Sequence, residues 1–323
     1  MTLKPSYDSA IQRLRDARRI LVVSHANPDG DAIGSTLAFG VGLKQLGKQV
    51  IMYNQDKIPF NLQFLPHLNE LTNKLPLLSD IDLVVMLDCS QPKRIGEEFE
   101  KMVSGVTCMY IDHHLGHVAP EEGNCIDPKA ASTSTLIYKL LKLLSVQMTT
   151  EIATLVYTGL VMDTGFFKYS NTTAEVLELA AELVRLGASP ADVSQSALEN
   201  APPAQLRLLS LVLETLEFHF DGQCASLVLT KQMLEEAGAT SDMAEGFIAY
   251  ARGIAGVEVA ALIREQESKR YKISLRSKKT INVADLAAQF GGGGHKHAAG
   301  CTIEKQLPEV RSLILAAIES AIA

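Results

Sequence analysis

Two aspartates stand one residue apart in the stretch HANPDGDAIGS, residues 25–35, directly after a run of apolar residues. Asp29 and Asp31 flank a glycine, and His25 precedes them. Two carboxylates this close repel each other unless a positive charge lies between them. The stretch therefore raises the possibility of a bound cation at the end of an apolar segment.

Further carboxylates and imidazoles follow other apolar runs of the first half. Asp88 ends LVVML, and Asp112, His113 and His114 end VTCMYI. Asp163 lies in LVYTGLVMDTG, which is predicted to be helical. Ligands of open α/β sheets bind beyond the carboxyl ends of the strands. We therefore expect these side chains to converge on one crevice.

The elements that must position these groups form an α/β pattern. The runs ILVVSH, LVVMLDCS and VTCMYIDHH are short and apolar, which is typical of strands buried on both faces of a parallel sheet. Helices are predicted over residues 32–46, from Ser132 and from Thr172. The last has a capping box from Thr172 to Glu175 and a terminal Gly187.

Crowded carboxylates require neutralisation, and a pair of divalent cations would supply it. Mixed imidazole and carboxylate ligands suit Mn²⁺, Zn²⁺ or Fe²⁺, and the oxygen-rich set without cysteine favours Mn²⁺, with Mg²⁺ or Co²⁺ as substitutes. Two such ions, roughly 3.5 to 4 Å apart, are the usual arrangement for phosphoryl displacement. The pattern thus indicates dimetal phosphoester chemistry.

The second half has a different organisation. Proline and small polar residues increase over 188–205, which indicates a linker, so we predict a first domain over 1–190, a linker over 191–210 and a second domain over 211–323. Strands are predicted at 216–220 and 225–229, and a hairpin joins 257–264 with 271–276. This mixture predicts a smaller α+β domain.

Composition restricts the protein class. The 323 residues are 47% hydrophobic and 21% charged, with five scattered cysteines and a formal net charge of −7. No signal peptide or membrane span is evident, which predicts a cytoplasmic protein with reduced thiols and no membrane partner. A net negative surface does not attract nucleic acid broadly, so a polyanionic substrate must be held by a dedicated site.

The motifs HANPDGD, VVMLDCS, IDHH and VMDTGFF, in this order, resemble those of the DHH phosphoesterase superfamily, and FGGGGHKHAAG resembles its C-terminal DHHA1 domain. The resemblance covers nearly the whole chain. It implies a parallel-sheet DHH catalytic domain and a smaller DHHA1 substrate-binding domain facing it across a cleft. The compact size is similar to the NrnA group of oligoribonucleases, which also dephosphorylate 3'-phosphoadenosine 5'-phosphate (pAp).

The resemblance also assigns roles to individual residues. It implies that one metal is held by His25, Asp29 and Asp88, and the other by Asp31, Asp88, His113 and Asp163, with Asp88 bridging. It implies that Asp112 orients a DHH histidine and that His114 contacts the scissile phosphate. In the second domain it implies substrate binding by Arg276, Gly293, Gly294 and His295. Independently of the resemblance, consecutive glycines let backbone N–H groups approach an anion closely.

The expected function is hydrolysis of very short RNA or DNA and of pAp to AMP, by attack of a hydroxide bridging the two metals. A phosphodiesterase for linear or cyclic dinucleotides, such as pApA and c-di-AMP, remains open. A manganese inorganic pyrophosphatase is disfavoured because that family lacks the GGGGH element. The complete ligand set disfavours a non-catalytic nucleotide-binding module. A homodimer is expected from the resemblance alone.

Overall fold

The computed structural model describes residues 7–114 and 123–322. Their contacts separate two compact units, and the division falls between Asn200 and Ala201. None of the helices in these ranges combines the length and apolarity required to cross a lipid bilayer. The cleft expected between the two domains stays a prediction.

The first unit is built on a six-stranded sheet in which every pairing is parallel. Its strands are β1 (Arg19–Ser24), β2 (Gln49–Tyr53), β3 (Leu71–Thr72), β4 (Leu83–Leu87), β5 (Cys108–Asp112) and β6 (Cys125–Ile126). Its helices are α1 (Tyr7–Asp16), α2 (Gly30–Gln45), α3 (Glu97–Met102), α4 (Thr133–Leu143), α5 (Thr150–Asp163), α6 (Ala174–Arg185) and α7 (Pro190–Leu198). Short 3₁₀ turns lie at Phe60–Leu62, Leu68–Glu70, Leu78–Asp80 and Pro92–Arg94. The predicted parallel α/β fold is confirmed.

The apolar strands are buried because the sheet has a hydrophobic core on each face. Ile20 and Val22 of β1 pack in one core, whereas Leu21 and Val23 pack in the other. This alternation is the period of two expected of a strand, and both faces need apolar residues because both are covered. The continuous apolar runs of the sequence are thus explained.

The order of the strands is β3-β2-β1-β4-β5-β6. The chain moves outward from β1 to β2 and β3, then returns to the other side of β1 with β4 and β5. The order therefore reverses between β1 and β4, which is the position where parallel sheets open a crevice beyond their carboxyl ends. The three strands predicted to carry ligands, β1, β4 and β5, are adjacent at this place.

The second unit contains a mixed sheet of order β11-β12-β10-β9-β8-β7. Its strands are β7 (Glu217–His219), β8 (Cys224–Leu229), β9 (Val259–Glu267), β10 (Arg270–Ser277), β11 (Gly293–His295) and β12 (Ala298–Glu304). Its helices are α8 (Pro203–Leu213), α9 (Lys231–Ala237), α10 (Ile248–Gly253), α11 (Val283–Ala288) and α12 (Leu307–Ile322), with a 3₁₀ turn at Ser241–Ala244. β8 and β9 are parallel and the other pairings are antiparallel, so the predicted α+β class is confirmed.

One local prediction from the sequence is wrong, and the predicted linker stays a prediction. The segment predicted as a linker, 191–210, includes the division between the two units and overlaps α7 and α8, each of which begins at a proline. Proline is favoured at the first position of a helix, where its missing N–H costs no hydrogen bond, so these prolines start helices rather than prevent them. The helix near Thr172 is capped by Thr173, whose hydroxyl accepts a hydrogen bond from the backbone N–H of Val176. The N-cap therefore lies one residue later than predicted, and Val176 occupies the position where a capping box needs Glu or Gln.

Helices α2 and α5 approach each other closely at two glycines. A Cβ atom at Gly34 would lie 2.5 Å from the carbonyl oxygen of Leu155 and 3.3 Å from the backbone nitrogen of Gly159. Backbone atoms of a helix cannot move away as the end of a flexible side chain can. The spacing of these two helices thus depends on the absence of a side chain at position 34.

We predict that Gly34→Ala destabilises the protein by about 1 to 3 kcal/mol, because the added methyl group overpacks the contact between α2 and α5. Urea denaturation of the full chain, followed by circular dichroism, measures the change. Gly253→Ala is the control, since a Cβ atom there meets nothing within 4 Å. Equal stability of the two variants would contradict the close contact.

Candidate metal centre

The loop between β1 and α2 places the first three candidate ligands. His25 follows the last residue of β1, and Asp29 is the N-cap of α2. One oxygen of Asp29 accepts hydrogen bonds from the backbone N–H groups of Asp31 and Ala32, at 3.1 and 3.0 Å. The Asp-Gly-Asp sequence is thus a helix start, and Asp31 lies in its first turn.

The His25 ring is oriented by the backbone carbonyl group of the next residue. Its Nδ1 lies 2.9 Å from the carbonyl oxygen of Ala26, which requires a proton on Nδ1 and leaves Nε2 on the side of the carboxylates. His25 Nε2 lies 3.2 Å from Asp88 Oδ2 and 4.0 Å from Asp29 Oδ2. His25 and Asp88 are buried, whereas the Asp29 side chain is 38% exposed. These three residues form the more open part of the centre.

Asp31 is completely buried and accepts hydrogen bonds from the start of α4. Its Oδ2 lies 2.6 Å from the Thr133 nitrogen, and its Oδ1 lies 2.9 Å from the Ser134 nitrogen. The hydroxyl of Ser35 also donates to Oδ1, at 3.3 Å. The positive end of the α4 dipole and its unpaired N–H groups therefore stabilise the Asp31 charge.

Asp88 lies between two imidazoles. Its Oδ2 faces His25, whereas its Oδ1 lies 3.5 Å from His113 Nε2 and accepts a hydrogen bond from the Thr133 hydroxyl at 3.0 Å. The backbone of Asp88 adopts a left-handed conformation, with φ of 58°. Such a conformation is uncommon outside glycine but is more accessible to aspartate and asparagine. The two oxygens of one carboxylate thus face two different groups of ligands.

His113 connects Asp88 with the end of α5. Its Nε2 lies 2.9 Å from Asp163 Oδ2 and 4.0 Å from Asp31 Oδ2, while its Nδ1 lies 3.3 Å from the carbonyl oxygen of Ala130. The contact with Ala130 favours a proton on Nδ1, so that Nε2 can act as a ligand. The second group of candidate ligands therefore converges around His113 Nε2.

Asp112 and His114 form a hydrogen-bonded pair beside these groups. Asp112 Oδ1 accepts from the backbone N–H of His114 at 3.0 Å and lies 2.7 Å from His114 Nδ1. The carboxylate of Asp112 is buried, and its Oδ2 has no hydrogen-bond partner among the described residues. The resemblance implied that Asp112 orients a DHH histidine, and the histidine that it contacts in the structure is His114.

Electrostatics makes this centre unfavourable without added positive charge. Burial raises the pKa of the Asp31 carboxyl well above its usual range, and the charges of Asp88 and Asp163 add to the effect. Burial also raises the pKa of Asp163, to about 6, although the hydrogen bond from His113 opposes it. These shifts mean that the ionised carboxylates are poorly compensated by the protein itself.

Unlike Asp31 and Asp163, His25 and Asp88 are shifted toward their charged forms. Burial alone would lower the pKa of His25, but the hydrogen bond with Asp88 and the charge of Asp29 raise it to about 9. For Asp88, burial acts to raise the pKa, and the hydrogen bonds with His113 and His25 outweigh it and hold the pKa well below its usual range. The protein thus draws positive charge to the centre from its own histidines.

Two of the groups of side chains that have the composition and spacing of metal sites match the expected ligand sets. They are His25, Asp29 and Asp88, and Asp31, His113 and Asp163, and within each group the ligand atoms lie within 4.8 Å of one another. Each group combines one imidazole with carboxylate oxygens, a set that suits first-row divalent ions. Because cations would also relieve the carboxylate crowding, the residues fit the two metals expected from the sequence.

The candidate substrate-binding residues other than His114 lie in the second unit. Arg276 on β10 pairs with Ala298 of β12, and His295 on β11 pairs with the same alanine from the other side. Residues directly opposite each other on antiparallel strands point to the same face. Arg276 and His295 are thus on one face, about 10 Å apart by strand spacing, with a small residue between them.

The glycines before His295 have separate structural reasons. A Cβ atom at Gly294, where φ is 143°, would lie 2.5 Å from the Ala298 carbonyl oxygen, and one at Gly292 would lie 2.2 Å from that of Gly300. Gly293 is exposed, and a Cβ atom there meets nothing within 4 Å. Strand packing therefore requires glycine at 292 and 294 but leaves Gly293 unexplained.

Sequence reasoning missed three residues that support the centre. Thr133 and Ser134 bind Asp31 as described, and Asn171 Nδ2 donates to the carbonyl oxygens of Asp163 and Ala131, both at 3.1 Å. The pattern Ser-Thr-Ser-Thr at 132–135 marks a helix start, since the Ser132 hydroxyl accepts from the Thr135 N–H at 3.3 Å. That signal indicates exposed N–H groups but not which anion they bind.

The chain resembles known proteins along most of its length. Residues 19–160 match the N-terminal domain of the DHH family, and residues 224–323 match the DHHA1 domain. The bifunctional oligoribonuclease and PAP phosphatase NrnA of Thermus thermophilus is 38% identical over 291 residues, which cover 88% of this chain and 84% of that protein. The protein of the same name from Bacillus subtilis is 28% identical over 287 residues, with 88% and 89% covered.

One solved structure is similar to this chain in both sequence and fold. The exopolyphosphatase-related protein of Bacteroides fragilis superposes with a TM-score of 0.86 at 28% identity, covering 97% of this chain and 95% of that one. The segments that match the two family models, residues 19–160 and 224–323, include every candidate metal ligand in the first unit except Asp163. They also include all the candidate binding residues in the second unit. The chain belongs to the DHH family, with an N-terminal DHH domain and a C-terminal DHHA1 domain.

Proposed function

We propose that the protein hydrolyses very short oligoribonucleotides to mononucleotides and pAp to AMP, with two divalent cations, Mn²⁺ foremost. The observation that carries the proposal is the position of Asp88, whose two oxygens face His25 and His113 and thereby link the two groups of ligands. The names of the relatives from Thermus thermophilus and Bacillus subtilis support the substrate class.

The ligand roles follow the two groups of side chains. One ion is held by His25, Asp29 and Asp88, and the other by Asp31, Asp88, His113 and Asp163. Two bound divalent ions supply a nucleophile at neutral pH and stabilise the oxygens around phosphorus. The protein contributes fixed carboxylates and imidazoles whose protons are held on Nδ1 by backbone carbonyl groups.

His114 and residues of the second unit bind the substrate in this proposal. Because His114 Nδ1 lies against Asp112, its Nε2 is the atom that contacts the scissile phosphate. Arg276 and His295, on one face of the second sheet, bind a further phosphate, and the backbone of Gly293 approaches it.

A substrate panel tests this proposal. Purified protein with Mn²⁺ is given pAp, pApA, c-di-AMP, inorganic pyrophosphate, and RNA and DNA oligomers of increasing length, and the products are separated by chromatography. We expect AMP from pAp and mononucleotides from the shortest RNA, with turnover decreasing as length increases. Turnover confined to c-di-AMP and pApA would instead indicate a dinucleotide phosphodiesterase, and turnover confined to pyrophosphate would indicate a pyrophosphatase. Binding without turnover would indicate a nucleotide-binding module.

We predict that Asp88→Asn reduces hydrolysis of pAp by more than about 100-fold, since it removes the charge shared by both groups of ligands. Asparagine tolerates the left-handed backbone of this position, so the fold is retained. Asp80→Asn, on the 3₁₀ turn before β4, is the matched control and should keep normal turnover. Steady-state kinetics with Mn²⁺ provides the measurement. Near-normal turnover by Asp88→Asn would show that this centre is not the site of hydrolysis.

We predict that Gly293→Ala raises the KM for pAp without changing thermal stability. The free protein has room for the methyl group, so only a substrate that approaches the backbone would be affected. KM and the melting temperature without substrate are compared with those of Gly253→Ala, another glycine with open space around it. An unchanged KM would show that the substrate does not approach the backbone of Gly293.

A further inference from the structure

Thr133 contacts two of the proposed metal ligands at once. Its backbone nitrogen donates to Asp31 Oδ2 at 2.6 Å, and its hydroxyl donates to Asp88 Oδ1 at 3.0 Å. Asp31 comes from α2 and Asp88 follows β4, so one residue joins carboxylates that are distant in sequence. Such a double contact is a geometric constraint on both carboxylates.

The constraint is rigid because Thr133 has little freedom. It is the first residue of α4, it follows the N-cap Ser132, and it is completely buried. Its β-branched side chain has restricted χ1 freedom. Water therefore cannot replace the hydroxyl, and a rotation of the Asp88 carboxylate would leave a buried donor without its acceptor, which is costly.

The same segment also positions the neighbouring ligands. The carbonyl oxygen of Ala130 faces His113 Nδ1, and that of Ala131 accepts from Asn171, which also binds the backbone of Asp163. Residues 130–134 thus contact, directly or through Asn171, each residue proposed for the ion at Asp31. Thr133 is the member whose side chain makes the contact, so it can be tested by substitution.

We propose that Thr133 is a positioning residue, whose hydroxyl fixes the Asp88 carboxylate in the orientation needed to bind both metal ions. This inference rests on the proposed dimetal function. Since the hydroxyl contacts the carboxylate and not the substrate, its removal weakens metal binding rather than the turnover of the metal-loaded protein. Groups that orient metal ligands typically contribute about 10- to 100-fold to metal affinity.

The test compares Mn²⁺ binding by four forms of the full chain. Thr133→Val removes the hydroxyl and keeps the shape, and Thr133→Ser keeps the hydroxyl. Thr36→Val is the matched control, because Thr36 is equally buried but its hydroxyl donates to the carbonyl oxygen of Ala32, at 2.7 Å, within its own helix. Calorimetric titration with Mn²⁺ gives the affinities, and melting of the metal-free proteins gives the cost to folding.

We expect Thr133→Val to bind Mn²⁺ about 10- to 100-fold more weakly than the wild type, and Thr133→Ser and Thr36→Val to bind within a few-fold of it. At saturating Mn²⁺ the turnover of pAp by Thr133→Val should approach the wild-type value. If Thr133→Val does not fold, Thr133→Ala, which also lacks the hydroxyl, takes its place.

Two results would overturn the inference while leaving the proposed function intact. One is unchanged Mn²⁺ affinity of Thr133→Val together with a lower melting temperature, which is the behaviour of a residue that only stabilises the fold. The other is equal weakening by Thr133→Ser, which would show that the hydroxyl alone does not maintain the affinity. Failure of the wild type itself to bind Mn²⁺ is distinguishable from both, since it would refute the proposed function and the inference together.

Discussion

The burial of several carboxylates close to one another is the constraint on which the rest of the structure depends. Asp31, Asp88 and Asp112 are all shielded from water. Removing even one ionised carboxylate from water costs several kcal/mol unless hydrogen bonds and opposite charges compensate. The compensation visible in the structure consists of the N–H groups of α4, the Thr133 hydroxyl and the neighbouring imidazoles. It is incomplete, as the raised pKa of Asp31 indicates, and the proposed divalent cations would complete it.

The parallel sheet is the part of the fold that makes this crowding possible. Only parallel strands bring all their carboxyl ends to one edge, so β1, β4 and β5 each place a candidate metal ligand at the same edge. Helices that begin at this edge direct their N–H groups toward the ligands, as α2 does for Asp29 and α4 for Asp31. The mixed sheet of the second unit has no such convergence. Instead, its antiparallel register aligns Arg276 and His295 on one face.

The sequence indicates the candidate ligands more clearly than the residues that contact and support them. Histidine and aspartate at the ends of buried strands are distinctive, because charged residues are rare beside fully apolar runs. Thr133 is not distinctive, since threonine at a helix start is ordinary and only the fold reveals that Asp31 and Asp88 lie opposite it. The two helices that overlap the predicted linker were missed for a related reason. Proline disfavours helix interiors but favours helix starts, and Pro190 and Pro203 occupy starts. The cap at Thr173 rather than Thr172 reflects the same ambiguity between adjacent hydroxyl residues.

The glycines around Asp31 allow close helix packing and also leave room for the Asp31 carboxylate. A Cβ atom at Gly159 of α5 would lie 2.6 Å from Asp31 Oδ1 and 2.6 Å from the Ser134 hydroxyl, and one at Gly30 would lie 2.5 Å from a side-chain carbon of Met162. The same α2 to α5 contact that needs Gly34 for close packing thus brings α5 against the carboxylate. A larger residue at position 159 would displace Asp31 from the N–H groups of α4 that stabilise it. The close approach of these helices is therefore a condition of the charge arrangement, and the stability of the first unit cannot be separated from the chemistry that it supports.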